Sequence, residues 1–166
     1  MTTIEDLLDK AEIASQMANY CRAVDRMDRD LLLSVFHPDA TMEYTDRFPN
    51  GTVSEFVDFV WKFHGTLISH SHQITNSIIR LWGDKAGSEF YVSAGLWFID
   101  PEDGKTKEFF IRARYLDRWL RSGETWLITK RFIATDLREL REVSPMETNG
   151  RRDRQDRSYE FLDGPV

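Results

Sequence analysis

The sequence has only one cysteine, Cys21, so it cannot form an internal disulfide, which fits a reducing compartment. It contains no apolar run approaching the roughly 18 residues of a membrane span, and no basic and apolar leader precedes the first polar residues. Acidic residues outnumber basic ones by 28 to 22, for a net charge of −6. This charge argues against nucleic acid or an anionic membrane as the main partner. These absences predict a cytoplasmic protein without either partner.

The chain is instead rich in aromatic side chains. Its 166 residues fit one domain, and a hydrophobic content of 41% excludes disorder of the whole. Eleven phenylalanines and five tryptophans are more than a small core needs. They indicate either the lining of an apolar cavity or bulky filling of the core.

The first third of the sequence has helical periodicity. Thr3 and Asp6 resemble a capping box at the start of a first helix. A second short helix follows and is expected to stop at His37-Pro38-Asp39. A first strand is predicted over 40–44 and a turn over 47–51, and Ser54-Glu55 is expected to cap a third helix that ends at His64. The apolar stripe predicted for the first helix consists of Ile4, Leu7, Leu8, Ala11, Ala14, Met17, Ala18 and Cys21.

The remainder consists of strand-like runs separated by hairpin turns. The runs cover 70–81, 86–99, 107–120 and 125–137. Helices followed by sequential hairpins predict an α+β fold, with helices packed on one face of a curved antiparallel sheet. We expect one domain over 1–137 and a charged surface tail over 138–166. The apolar end of that tail, from Tyr159 to Leu162, is expected to dock on the domain or on another subunit.

Two histidines and one aspartate point to acid–base chemistry. His70 and His72 are two residues apart in the third predicted strand, so their side chains share one face. Asp25 continues the apolar stripe of the first helix, and a buried carboxylate needs a partner. Alternatively, Asp25 turns back to water or caps the next helix.

The order of short motifs resembles the SnoaL-like branch of the nuclear transport factor 2-like superfamily. The matching segments are Tyr20-Cys21-Arg22-Ala23-Val24-Asp25, Phe36-His37-Pro38-Asp39-Ala40, His70-Ser71-His72-Gln73-Ile74-Thr75-Asn76, Arg114-Tyr115-Leu116-Asp117-Arg118-Trp119 and Trp126-Leu127-Ile128-Thr129-Lys130-Arg131. The resemblance implies a cone-shaped α+β barrel, in which three N-terminal helices pack on a strongly curved, mostly antiparallel sheet around an apolar pocket.

Within that branch, the sequence is similar to scytalone dehydratase, hexachlorocyclohexane dehydrochlorinase and bile-acid 7α-dehydratase. This similarity implies a catalytic Asp25 and His72, with Tyr20 matching the bile-acid enzyme and Arg131 the dehydrochlorinase. The second histidine that scytalone dehydratase carries on its next strand has no equivalent in 86–99. The resemblance therefore implies a cofactor-independent lyase or isomerase that acts on a hydrophobic, hydroxylated small molecule.

Each predicted site residue has an expected role. His72 is the base, and Asp25 orients its ring and stabilises the imidazolium. Tyr20 or Tyr44 is expected to donate a proton to a departing hydroxide or to polarise a carbonyl, and Arg131 to stabilise an oxyanion or an anionic leaving group. The predicted substrate-binding residues are Tyr44, His70 and Asn76.

Other readings of the sequence remain open. His70 and His72 with Asp25 could suggest a zinc site, but the sequence lacks a convincing additional ligand at a known spacing, so neither a metal nor a cofactor is expected. His37 and His64 are expected to be structural, with His64 a favourable cation at a helix end. The same fold also serves as a ligand-binding or assembly module, including the small subunit of ring-hydroxylating dioxygenases. A homo-oligomer, dimer or trimer, is expected, with Trp97 and Trp119 as candidate contacts on the sheet.

Overall fold

The computed structural model describes residues 2–44, 50–145 and 147–162. The predicted turn over 47–51 falls largely outside these ranges, and Gly51 belongs to a short strand. The elements in chain order are α1 (Ile4–Asp25), α2 (Arg29–Ser34), β1 (Phe36–Glu43), β2 (Gly51–Thr52), α3 (Val53–His64), β3 (Ser69–Trp82), β4 (Lys85–Ile99), β5 (Thr106–Ser122), β6 (Thr125–Glu142) and α4 (Arg157–Leu162).

The strands form one mixed sheet in the order β2-β1-β6-β5-β4-β3. All neighbours are antiparallel except β1 and β6, which run parallel. Tight turns join the long strands, and Gly83 and Gly123 adopt φ angles of 62° and 65° there, which favour glycine. The predicted α+β architecture with a curved, mostly antiparallel sheet is confirmed. The predicted barrel is open, since β2 and β3 are the free edges of the sheet.

Irregularities in the strands bend the sheet. In β3 the register with β4 shifts between Thr75 and Ile78, where Asn76 has a φ of 48°. The β5–β6 pair shifts register twice, after Arg112 and after Arg118. Bulges of this kind increase the bend and twist of a strand. The resulting concave face receives α1 and α3, and the hydrophobic core lies between them and the sheet.

Helix α1 begins at the predicted capping box, but of the predicted stripe only Met17, Cys21 and its continuation Asp25 are buried. The Thr3 hydroxyl accepts a hydrogen bond from the Asp6 backbone N–H, and the Asp6 carboxylate accepts one from the Thr3 backbone N–H. The predicted apolar residues at the start are exposed, with Leu8 at 65%. Asp9 is buried instead, because Trp126 donates a hydrogen bond to it over 3.1 Å. The buried stripe is Asp9, Ile13, Met17, Tyr20, Cys21, Ala23, Val24 and Asp25.

Three local predictions are wrong. His37-Pro38-Asp39 does not stop α2, which already ends at Ser34, but lies within β1, at a register shift that accommodates the proline's missing N–H. The cap of α3 is Thr52, with Glu55 completing a capping box, and not Ser54. Trp119 is 1% exposed and donates to Ser88, so it is not a surface contact.

Strand β6 continues beyond the predicted end at 137, as far as Glu142. The following segment contains α4 and lies against the domain, where the Tyr159 hydroxyl donates a hydrogen bond to Asp28 over 2.9 Å. Across the described ranges, none of the helices combines the length and apolarity that crossing a bilayer requires.

Candidate active site

Asp25 and His72 are in direct contact. Asp25 is the last residue of α1, and His72 lies near the start of β3. One carboxylate oxygen, Oδ1, is 2.7 Å from Nδ1 of the His72 ring, and the other, Oδ2, accepts a hydrogen bond from the His72 backbone N–H over 3.0 Å. Only about a tenth of either side chain is exposed, 9% for His72 and 10% for Asp25. The structure therefore brings together the pair that the sequence predicts.

The contact fixes the roles of the two ring nitrogens. A carboxylate can only accept, so Nδ1 of His72 carries a proton, and in the neutral ring Nε2 keeps its lone pair. Oriented in this way by Asp25, an imidazole is equipped to take a proton. The ring lines the main cavity of the domain.

This cavity is large and mostly apolar. It has a volume of about 1010 Å³ and lies between α1, α3 and the concave face of the sheet. The side chains of Ile99 and Leu140, 57% and 61% exposed, border it and mark its open end. Part of the aromatic excess lines the cavity, namely Phe56, Phe59, Phe63, Phe98 and Phe109.

Three tyrosines supply hydroxyl groups to the cavity. Tyr20 comes from α1, Tyr44 follows β1 and Tyr115 lies in β5, and all three line the cavity. The Tyr20 hydroxyl is hydrogen-bonded to those of Tyr44 and Tyr115. Burial raises the pKa of Tyr20 in spite of the nearby Arg131 and these hydrogen bonds. Burial also raises the pKa values of Tyr44 and Tyr115 well above the ordinary range. The three groups therefore remain protonated donors at neutral pH. Tyr115 was not predicted as a site residue.

Arg131 packs against the rings of two of these tyrosines. Its side chain is fully buried and binds Asp117 through two hydrogen bonds of 2.7 and 2.8 Å. Its guanidinium carbon lies 4.1 Å from the centroid of the Tyr20 ring and 4.3 Å from that of Tyr115. Burial opposes the charge, but the Asp117 carboxylate outweighs it and raises the pKa of Arg131. Arg131 is thus a buried cation that touches the ring of Tyr20, and it is not among the residues that line the cavity.

His64 is a cavity residue that the sequence interpretation missed. Its ring lines the cavity, 5.9 Å from that of His72 and 4.4 Å from that of His70. Burial, followed by the proximity of His70 and His72, lowers the pKa of His64 to about 2. It is therefore neutral and not the expected cation. In the sequence, His64 follows Val60 by four residues and so continues the apolar stripe of α3. This spacing is the signal that the ring faces inward.

His70 and Asn76 do not line the cavity. His70 is 3% exposed, and its Nε2–H donates to the Val24 carbonyl over 2.9 Å. Asn76 is exposed at the bulge of β3. Of the three predicted substrate-binding residues, the structure places only Tyr44 at the cavity.

In the part of the chain that the structure describes, Cys21 supplies no reactive thiol and the buried histidines form no metal site. Burial and the neighbouring Asp25 raise the pKa of the Cys21 thiol to about 12, so it remains unreactive. Among the residues that the structure describes, no group of three or more histidine, cysteine, aspartate or glutamate side chains is arranged to hold a metal ion.

Comparison with known proteins identifies the domain. A family model described as a SnoaL-like domain matches residues 5–132. Uncharacterized protein Rv2910c of Mycobacterium tuberculosis is 24% identical over 132 residues, which cover 79% of this chain and 88% of that protein.

Two solved structures of dehydrochlorinases share the fold. Hexachlorocyclohexane dehydrochlorinase (LinA) type 2 has a TM-score of 0.73 at 16% identity, covering 87% of this chain and 96% of the other. The LinA-type3 enzyme from Novosphingobium barchaimii has a TM-score of 0.70 at 17% identity, covering 84% and 97%. At these identities, the likeness establishes the fold alone.

Proposed function

Because this chain belongs to the SnoaL-like domain family, we propose that it is a cofactor-independent lyase or isomerase acting on a hydrophobic, hydroxylated small molecule. The favoured reaction is elimination of water or a related leaving group. One observation carries the proposal: the 2.7 Å contact between His72 Nδ1 and Asp25 Oδ1 at the wall of an apolar cavity. A cavity that only bound an apolar ligand would gain nothing from a carboxylate buried behind a histidine.

The base in this reaction is Nε2 of His72. It removes a proton from a carbon atom of the substrate, and the electrons of that C–H bond form the new double bond as the leaving group departs from the neighbouring carbon. Asp25 stabilises the imidazolium that results. When the leaving group is hydroxide, it becomes water by taking a proton from the imidazolium, either directly or from a tyrosine hydroxyl that the imidazolium then reprotonates, so the step needs no oxidant or reductant.

The tyrosines act on the oxygen atoms of the substrate. Tyr20, Tyr44 and Tyr115 remain protonated because burial raises their pKa values. They can donate hydrogen bonds to a departing hydroxyl or to a carbonyl that gains negative charge. Arg131, packed against two of their rings, stabilises such charge through them.

The size and the apolar walls of the cavity support the proposed substrate class. At about 1010 Å³, with walls of leucine, valine, phenylalanine and alanine, it suits a fused-ring compound or one of similar bulk. The dehydrochlorinase neighbours add support for elimination, since their names describe loss of hydrogen chloride.

The test is proton exchange in heavy water. Hydrophobic β-hydroxy ketones and secondary alcohols are incubated with the protein in D₂O, and deuterium incorporation and loss of water are followed by mass spectrometry. The wild type is expected to exchange or eliminate with at least one compound class. His72→Gln should abolish this activity, while His37→Gln, a matched change on β1 away from the cavity, should retain it.

Binding without exchange would contradict the proposal. If compounds raise the thermal unfolding temperature but none exchanges deuterium in wild type, the cavity belongs to a ligand-binding module and not to a lyase.

A further inference from the structure

The C-terminal segment 147–162 lies outside the residues that the family model matches. It folds back and contacts the domain. Its Tyr159 donates a hydrogen bond to Asp28 over 2.9 Å, and Arg154 contacts the same carboxylate at 3.1 Å. The guanidinium of Arg22, on α1, lies 4.4 Å from the centre of the Tyr159 ring. These contacts fasten the segment, which we call the C-terminal clasp, beside the end of α1 that carries Asp25.

One residue of the clasp, Arg152, reaches the other side of the site. It donates hydrogen bonds to the backbone carbonyls of His64 and Leu67 over 2.9 and 2.6 Å. It also donates to Nδ1 of His70 over 3.1 Å. A planar guanidinium serves three acceptors in this fixed arrangement because its N–H groups point in set directions. Arg152 therefore joins the end of α3 to the start of β3.

The contact determines the state of the His70 ring. A guanidinium only donates, so Nδ1 of His70 must accept, and the ring proton resides on Nε2. That Nε2–H donates to the carbonyl of Val24, the residue before Asp25. His70 also lies two residues before His72 in β3, so the two side chains lie on the same face of the strand. A continuous set of hydrogen bonds therefore runs from Arg152 through His70 to Val24, the residue before Asp25.

We propose that Arg152 is a positioning residue, which holds His70 as a neutral Nε2–H tautomer and thereby fixes Asp25 and His72 relative to one another. The proposal rests on the function proposed above for the effect on rate, and on geometry alone for the state of His70. The clasp thus completes the site from outside the residues that the family model matches.

The charges around His70 agree with this role. The groups that face it are His64 from α3, His72 from its own strand, Asp25 from α1 and Arg152 from the clasp. Burial lowers the pKa of His70 to about 4, helped by His72 and Arg152 and opposed by the Val24 carbonyl and Asp25. A protonated His70 would present an N–H to the guanidinium, so loss of Arg152 would make its protonation easier.

The experiment compares Arg152→Met and Arg152→Lys with Arg157→Met, a control in the same segment whose side chain is 80% exposed. Nitrogen-15 NMR of the imidazole rings is recorded across pH without substrate. In the wild type and the control, we expect His70 to remain the neutral Nε2–H tautomer at pH 6. In Arg152→Met, we expect its protonation midpoint to rise by about 0.5–1 pH unit and the tautomers to mix. Arg152→Lys keeps the charge without the planar fork, so we expect mixed tautomers with a smaller shift.

The rate gives the second readout. With a substrate found by deuterium exchange, Arg152→Met should lower kcat about 10-fold, the scale seen when a partner that orients a site residue is lost. KM should change less than about two-fold, since Arg152 does not line the cavity.

Two outcomes would overturn the proposal. An unchanged His70 tautomer and midpoint in both Arg152 variants would do so, whatever the rate. A changed His70 with an unaltered kcat would also do so. Failure of the proposed function looks different, because the wild type would then exchange no substrate while the NMR result still decides the role of Arg152. Thermal unfolding of each variant shows whether it is folded.

Discussion

The ring of His72 and the carboxylate of Asp25 lie 2.7 Å apart, although 47 residues separate them in the chain. The second carboxylate oxygen of Asp25 binds the His72 backbone, so the aspartate fixes both the ring and the strand that carries it. This double contact offsets the cost of burying the charge, and it places the lone pair of Nε2 on the side of the ring that is free of Asp25.

Replacing Asp25 with asparagine is expected to lower kcat by roughly 10³- to 10⁴-fold. The amide can present an N–H to Nδ1, which forces the ring proton onto Nε2 and leaves the base in the wrong tautomer. The measurement is the initial rate of elimination, with KM determined in parallel. Asp30→Asn, an exposed change in α2, serves as the control. Activity of Asp25→Asn within 10-fold of wild type would show that the carboxylate does not orient the base.

Removing the hydroxyl of Tyr20 is expected to lower kcat by about 100-fold, because the substrate oxygen then loses a donor in a water-poor site. Tyr20→Phe also leaves the hydroxyls of Tyr44 and Tyr115 without their shared partner, at a cost of about 1–3 kcal/mol in the free energy of unfolding. Rates and urea unfolding curves measure the two effects. Tyr91→Phe, on the exposed side of β4, should alter neither. An unchanged rate in Tyr20→Phe would remove Tyr20 from the mechanism.

The buried pair of Arg131 and Asp117 is expected to matter greatly for stability. Neither side chain is exposed to solvent. Arg131→Met strands the Asp117 carboxylate in the core and should lower the free energy of unfolding by about 3–5 kcal/mol. The double change Arg131→Met with Asp117→Leu should recover much of this loss, because it leaves no uncompensated charge.

Chemical denaturation measures both variants. Arg29→Met, which breaks a surface pair with Asp58 of 2.6 Å, should cost less than about 1 kcal/mol and is the control. A double variant as unstable as Arg131→Met would mean that the loss comes from packing against Tyr20 and Tyr115 and not from the stranded charge.

Stability is expected to fall as the solution becomes mildly acidic. Burial places the pKa of His64 at about 2 and that of His70 at about 4, whereas an unfolded histidine has a value of about 6.5. The unfolded chain therefore binds more protons than the folded chain below about pH 6.5. Above that pH neither imidazole lowers the free energy of unfolding. Below it, each imidazole lowers the free energy of unfolding by up to about 1.4 kcal/mol per pH unit. For His70 the loss levels off near pH 4.

Urea unfolding between pH 4.5 and 7.5 measures this dependence. His64→Phe removes one of the two groups. It should reduce the slope of the free energy of unfolding against pH by about 1.4 kcal/mol per pH unit, the contribution of one proton. An identical slope in wild type and His64→Phe would show that His64 already takes up a proton in the folded state.

Local signals in the sequence were enough to predict the helices and the hairpins, whereas the pair at the site also needed the family resemblance. The capping box at Thr3, the turn glycines and the alternation of the long strands are properties of neighbouring residues, so the order of elements could be predicted. The positions of Asp25 and His72 followed from the resemblance and from the need of a buried carboxylate for a partner. Their pairing is what the tertiary structure then displays.

The buried charges and some of the cavity residues could not be predicted, because they depend on partners that are distant in the sequence. Asp9 is buried because Trp126 meets it, and Arg131 is buried because Asp117 lies on the neighbouring strand. Neither fact can be inferred from residue type, since charged side chains are assigned to the surface by default. His64 and Tyr115 reach the cavity only because bulged strands bend the sheet around it.

The sequence by itself determined the α+β class and, through the family resemblance, singled out Asp25 and His72, whose contact the structure displays. The tertiary structure alone decided which polar groups face the cavity, that the sheet stays open, and that the charged C-terminal segment lies against the site. The physical reason is that hydrophobic periodicity reports on contacts within an element. A buried charge is stabilised by a partner from another element, and that partner is specified only when the chain has folded.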